Sequence, residues 1–194
     1  MTNEYEAFYA EYNSKYTELS AKKDEIVRFE FSKGGNVFFR GLYTPFLSFK
    51  YGLFTNSKGK IVKKANDFTF SYGFDSNERL IYVLRNLDGI YTEEFLLYCP
   101  DRTIGITYTQ TDKQLTDIVI CRYNNNAIVT VDHAHKINLF SGSSFQYTKE
   151  IYRYLGSAFV GMEEITGDTM YPKSYHTEYE VTDNKFKLMK QWIN

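Results

Sequence analysis

Proline is scarce in this chain, three in 194 residues, and so are cysteine with two, histidine with three and tryptophan with one. So little proline leaves no polyproline or collagen-like segment. Cys99 and Cys121 have no paired-thiol spacing of the metal or dithiol redox kind, so two buried thiols or one inter-strand disulfide are the readings open to them. No run of about 18 apolar residues is present to span a bilayer, and Met1 is not followed by a basic and then apolar leader. The chain reads as soluble and intracellular, in cytoplasm or plastid. Excess charge of one sign is also missing: 23 Lys plus Arg face 24 Asp plus Glu, which gives no field to gather nucleic acid or an anionic membrane. The local run Lys58, Lys60, Lys63 and Lys64 reads as a solvated hairpin.

No Gly-x-Ser-x-Gly elbow, phosphate-binding glycine loop or paired-cysteine motif occurs, so hydrolase, kinase and dithiol readings have no sequence support and catalytic residues stay unassigned. Asp132-His133-Ala134-His135 is the one histidine cluster. Residues two apart on a strand share a face, but no third ligand stands nearby, so no metal is assigned.

What the chain has in abundance is aromatic surface, with 18 Tyr and 16 Phe. Such rings fit pleated, half-buried sheets better than helix interiors. Tyr5, Phe8, Tyr9, Tyr12, Tyr16 and Leu19 form a helical stripe over residues 1–25, with Thr2 or Asn3 as its cap. From residue 28 to 155 short apolar runs alternate with turn chemistry at Lys33-Gly34-Gly35-Asn36, Asn56-Ser57-Lys58-Gly59, Asp75-Ser76-Asn77-Glu78, Asp88-Gly89, Pro100-Asp101, Thr111-Asp112-Lys113 and Asn124-Asn125-Asn126. Strands this closely spaced have no room for crossover helices and must be antiparallel neighbours. Phe49-Lys50-Tyr51-Gly52-Leu53 and Phe70-Ser71-Tyr72-Gly73-Phe74 repeat one pattern 21 residues apart, about one hairpin and its return. Residues 156–194 form a C-terminal extension: 143–154 fits neither period, Tyr171 to Val181 reads as extended, and Phe186, Met189 and Trp192 predict a short terminal helix over 184–193.

The expected fold is therefore all-β with flanking helices: one domain with a meander of about ten strands, long enough to close into a barrel. Alternate side chains would point inward, and Tyr51, Tyr72, Tyr82, Tyr108 and Tyr123 would give a cavity an apolar wall with hydroxyl tips. The same rings serve equally to fill a core.

In order of elements the chain resembles lipocalin-like barrels, closest to the S-type phycobilin (chromophore) lyases. The resemblance rests on Gly34 to Arg40 after a helix, Ile106-Thr107-Tyr108-Thr109, Thr116 to Ile120, Ser144-Phe145 and Glu150-Ile151-Tyr152-Arg153. The sequence departs from the family at Gly35-Asn36-Val37, which lacks the tryptophan, at Asp117-Ile118, which lacks the arginine, and at Tyr152, which interrupts Glu-Ile-Arg. The resemblance implies an open-chain tetrapyrrole (bilin) held in the barrel and delivered to an acceptor protein, with no other cofactor. It implies Asp117 or Glu150 on the pyrrole nitrogens and Arg122 or Arg153 on the propionates, beside Tyr72 and Tyr108 in the wall. The alternative is a non-enzymatic protein-interaction module such as a bacterial toxin immunity protein, because tyrosine-rich sheets also suit protein recognition.

Overall fold

The computed structural model describes residues 2–35, 37, 59–63, 68–87, 89–125, 127–139, 142–169, 173–182 and 185–194. The amino-terminal stripe forms α1 (Thr2–Tyr12), α2 (Tyr16–Ser20) and a 3-10 turn (Ala21–Glu25) rather than one helix. Among the described residues twelve strands follow: β1 (Arg28–Lys33), β2 (Lys60–Val62), β3 (Phe70–Phe74), β4 (Leu80–Leu87), β5 (Ile90–Tyr98), β6 (Arg102–Thr109), β7 (Leu115–Asn124), β8 (Ala127–Leu139), β9 (Gly142–Leu155), β10 (Ala158–Asp168), β11 (Ser174–Thr182) and β12 (Lys185–Ile193). They lie in one sheet in the order β12-β11-β10-β9-β8-β7-β6-β5-β4-β3-β1-β2. The all-β antiparallel meander is thus present, with two more strands than the turn signals gave. Among the described residues no pairing joins β12 to β2, so the ladder does not close into the expected barrel. No helix among them is long and apolar enough to cross a membrane.

The turns account for much of the path. Asp75 accepts the backbone N–H groups of Asn77 and Arg79, each at 2.9 Å, and the Arg79 side chain at 2.8 Å. An aspartate closing its own turn in this way fixes the β3–β4 hairpin. Burial raises its pKa, but the hydrogen bonds from Arg79 and Asn77 outweigh burial and hold the carboxyl below its ordinary value. Gly89 (φ +88°) serves the β4–β5 turn and Gly156 (φ +62°) the β9–β10 turn, a backbone region that side chains with a Cβ resist. Expectations placed at Asn36, residues 49–58, Lys64, Asp88, Asn126 and Tyr171 lie outside the described residues, as does the first copy of the 21-residue repeat; the second copy is β3.

The carboxyl-terminal helix is not there. Lys185–Ile193 is strand β12, paired with β11 through a bulge that leaves Met189 as the extra residue. One added residue breaks the two-residue alternation and produces spacings of three that imitate a helix. Residues 143–154 belong to β9. Its period is blurred because polar Ser144 and Glu150 lie on the buried side while Phe145, Tyr147 and Ile151 are only partly covered.

The contacts divide into two compact units. One comprises Met1–Glu6, Tyr98–Ile104 and Thr116–Asn194, with Ile120 and Met162 wholly buried; the other comprises Ala7–Leu97 and Gly105–Leu115, centred on Tyr72, Phe95, Ile106 and Tyr108. Each buried aromatic removes about 150–250 Å² from water, so the rings contribute strongly to the second unit beside aliphatic residues such as Leu96 and Ile106.

Candidate functional site

The wall tyrosines of the second unit are core residues with their hydroxyls engaged. Tyr72 Oη lies 3.1 Å from Ser32 Oγ and accepts the Val37 N–H at 2.9 Å. Tyr108 donates to the Tyr12 carbonyl at 2.5 Å and Tyr82 to Glu93 at 2.7 Å. Burial is the first cause raising the Tyr82 and Tyr108 hydroxyl pKa values, reinforced in Tyr82 by Glu93. In the first unit Tyr123 Oη lies 3.2 Å from Thr103 Oγ1. Tyr51 is outside the described residues.

The other four predicted residues lie in the first unit, and the sheet separates them by charge. On β7, Asp117 pairs with His135 of β8, which pairs with Gln146 of β9, placing Asp117 on the face that also carries Glu150. Arg122 pairs with Thr130, and Thr130 with Ile151, placing Arg122 on the reverse face with Arg153. Successive side chains on a strand point opposite ways, so the two acids and the two arginines do not line one cavity. Each has a protein partner instead. Arg122 pairs with Asp132, Arg153 reaches Glu178 at 2.5 Å and the Tyr179 carbonyl at 3.2 Å, and Tyr152 donates to Glu150.

Asp117 binds the two histidines of the cluster. His133 Nε2 and His135 Nδ1 both lie 2.9 Å from its Oδ1. Burial raises its pKa, and the His133 hydrogen bond with the charges of His133 and His135 more than reverse this, holding it at about 2. One ring nitrogen of each histidine is directed at the carboxylate, and among the described residues no group of three or more His, Cys, Asp or Glu can hold an ion. Cys121 is buried and Cys99 exposed, both as thiols, so the expectation of two buried thiols is corrected at Cys99. It sits at the end of β5 where the chain turns into β6, and such a position is solvated.

Sequence reading missed two buried carboxylates. Glu93 of β5 is 1% exposed and receives Tyr16 at 2.5 Å, Tyr82 at 2.7 Å and the Lys23 ammonium, with Lys113 at 3.8 Å. Lys23 also lies over the Tyr82 ring at 5.2 Å and Lys113 over Tyr16 at 4.6 Å. Burial raises the Glu93 pKa, and the Lys23, Tyr16 and Tyr82 hydrogen bonds overcome it to hold the group ionised below its ordinary value. With its oxygens so occupied Glu93 is a latch for α2 and the 3-10 turn rather than a base. Asp132, in the first unit, plays a like part for α1: it takes Tyr5 at 3.3 Å, Arg122 and, at 3.6 Å, Lys149. The available signal was Glu93-x-Phe95, a charge on the apolar side of an alternating strand.

Outward apolar side chains gather on the last hairpin. Tyr175 of β11 and Leu188, Met189 and Ile193 of β12 are each about half exposed, and β12 has a strand on one side only among the described residues. Lys187 and Lys190 stand exposed on the other face of the hairpin, opposite Glu180 and Glu178 of β11. No family model matches this chain, and no curated protein or solved structure does so either.

Proposed function

We propose that the chain is a protein-interaction module whose ligand is another protein, the class that includes toxin-neutralising immunity proteins. The observation that carries this reading is the outward set Tyr175, Leu188, Met189 and Ile193 on β11–β12. Apolar area left in water regains roughly 25 cal/mol per Å² when a partner covers it, and large rings and flexible methionine are common at such contacts. Lys187 and Lys190 lie across from Glu180 and Glu178 on the opposite face of the hairpin from Tyr175, Leu188 and Ile193, so they do not charge this set. An intracellular place agrees with the two thiols.

The test is native mass spectrometry of the protein taken from the cells that make it, beside the double variant Leu188→Glu, Ile193→Glu. A stoichiometric protein complex that the variant loses supports the module. A small molecule retained one per chain, with no protein partner, overturns it.

The second reading is the carrier: a barrel closed around a bilin with an acceptor protein as client. The long antiparallel meander favours it. It needs β2 and β12 bridged, Asp117 or Glu150 to act from one face and Arg122 or Arg153 from the other. A shift in bilin visible absorption on mixing would favour it.

A further inference from the structure

His176 of β11 sits in a chain of hydrogen bonds that the interaction reading does not use. Its Nδ1 lies 2.8 Å from Glu163 Oε1 and its Nε2 lies 3.0 Å from Ser174 Oγ. An ionised carboxylate only accepts, so Nδ1 carries the proton and Nε2 offers its lone pair to the serine hydroxyl. This is the order of groups that activates a serine: nucleophile on Nε2, orienting acid on Nδ1.

The strand geometry explains how they meet. Ser174 and His176 are two apart on β11 and share a face. His176 pairs with Ile165 of β10, which places Glu163 on the same face one diagonal away. The indole of Trp192, across from His176 on β12, stacks on the imidazole at 4.9 Å and 21°, so the ring is clamped by packing as well as by Glu163. Ser174 stands opposite Gly167, where β10 contributes no side chain of its own. The phenol of Tyr147, hydroxyl foremost, occupies the space an added Cβ at Gly167 would need and forms one wall beside the serine. Asn194 Nδ2 donates to the same Nε2 at 3.1 Å, sharing its lone pair with the serine hydroxyl, and so puts a side-chain N–H beside the reacting atoms.

We propose that Ser174, His176 and Glu163 form an acyl-transfer site that hydrolyses small carboxylic esters, with Trp192 and Tyr147 receiving an aryl or short acyl group. Ser174 Oγ bonds to the ester carbonyl carbon while its proton passes to His176 Nε2, and the carbonyl electrons move onto oxygen. Asn194 Nδ2 donates to that oxygen. The C–O bond to the alcohol breaks, the electron pair leaves with the alcohol oxygen, and Nε2 returns the proton to it. Water then attacks the acyl-serine with its proton going to Nε2, and collapse releases the acid as Ser174 recovers its proton. Glu163 is a positioning residue that holds the ring and balances its transient charge.

The experiment uses the whole chain with a fluorophosphonate probe, to which thiols are inert, and with p-nitrophenyl acetate. One phosphonyl adduct per chain on Ser174, absent in Ser174→Ala, and a hydrolysis rate that falls about 100-fold or more in Ser174→Ala and His176→Ala, support the site. Circular dichroism that matches the parent shows that Ser174→Ala folds. Glu163→Gln should slow labelling and alter its pH profile, with Glu163→Asp restoring part of the rate, which a merely structural carboxylate would not do. No adduct on Ser174, or hydrolysis that persists in folded Ser174→Ala, overturns the proposal. Neither result bears on the Leu188 and Ile193 test, so the two readings fail separately.

Discussion

The Tyr16 hydroxyl meets the Glu93 carboxylate at 2.5 Å across 77 positions of sequence. One tyrosine of a short helix and one acid of a central strand thereby fix where the amino-terminal segment lies in its unit. Glu93→Gln leaves Lys23 without its charged partner inside the unit and should cost about 2 to 4 kcal/mol, against about 1 to 2 for Tyr16→Phe. Denaturant titrations of both variants and of the double variant check this. The double variant should cost less than the two losses combined, because they share one oxygen network.

Glu93 also sets an acid limit. Its folded pKa is below its ordinary value of 4.5, so its stabilisation is present above that value and is lost as pH falls through the lower folded one. Unfolding followed from pH 6 downward should show a steep loss that is shallower in Glu93→Gln.

Asp117 makes a second, separable contribution. Its pKa is about 2 when folded against 3.8 ordinarily, so its stabilisation is intact near pH 5 and disappears toward pH 2. After allowance for solvent at the two imidazoles it amounts to about 1 to 2 kcal/mol. Asp117→Asn should lower stability by that amount at pH 5 and by almost nothing at pH 2.

The two thiols should report on folding. Cys99 is exposed and Cys121 buried, so a thiol reagent should modify one equivalent promptly and the second only at the rate at which β7 opens. Two equivalents reacting at once would contradict the packing around β7.

Gly156 turns between β9 and β10 at φ +62° with open space where a Cβ would stand. Gly156→Ala should therefore cost about 1 kcal/mol through the backbone alone, and Gly156→Asn less, since asparagine tolerates that conformation. Thermal melts of the pair distinguish this from a packing effect.

The helical stripe at Tyr5 to Leu19 was legible because it buries one face, and Phe70 to Phe74 because its rings alternate with small residues, although Ser71 and Gly73 are buried too. Asp75 was legible because its turn is closed by its own side chain. The last third was not. In β9 polar Ser144 and Glu150 are buried, and in β12 the bulge at Met189 sets Phe186, Met189 and Trp192 three apart, so neither strand has a clean period. The site residues carried over by resemblance were chosen by order along the chain, and order does not reveal the face. Asp117 and Arg122 differ by five positions, an odd number, and a strand sends them apart. The Ser174, His176 and Glu163 contacts were hidden because their closeness depends on the β10–β11 register, which turn signals do not supply.

The bulge on the last strand has a consequence for solubility. The acids of β11 that face Lys190 and Lys187 are two apart, at Glu178 and Glu180, while the lysines are three apart. Met189 absorbs the difference, so each lysine falls opposite an acid in the register, and the crimp it makes interrupts the outer row of main-chain donors and acceptors. A chain lacking Met189 would keep both lysines opposite acids yet offer a straight border, and it should clump at concentrations where the parent stays dispersed.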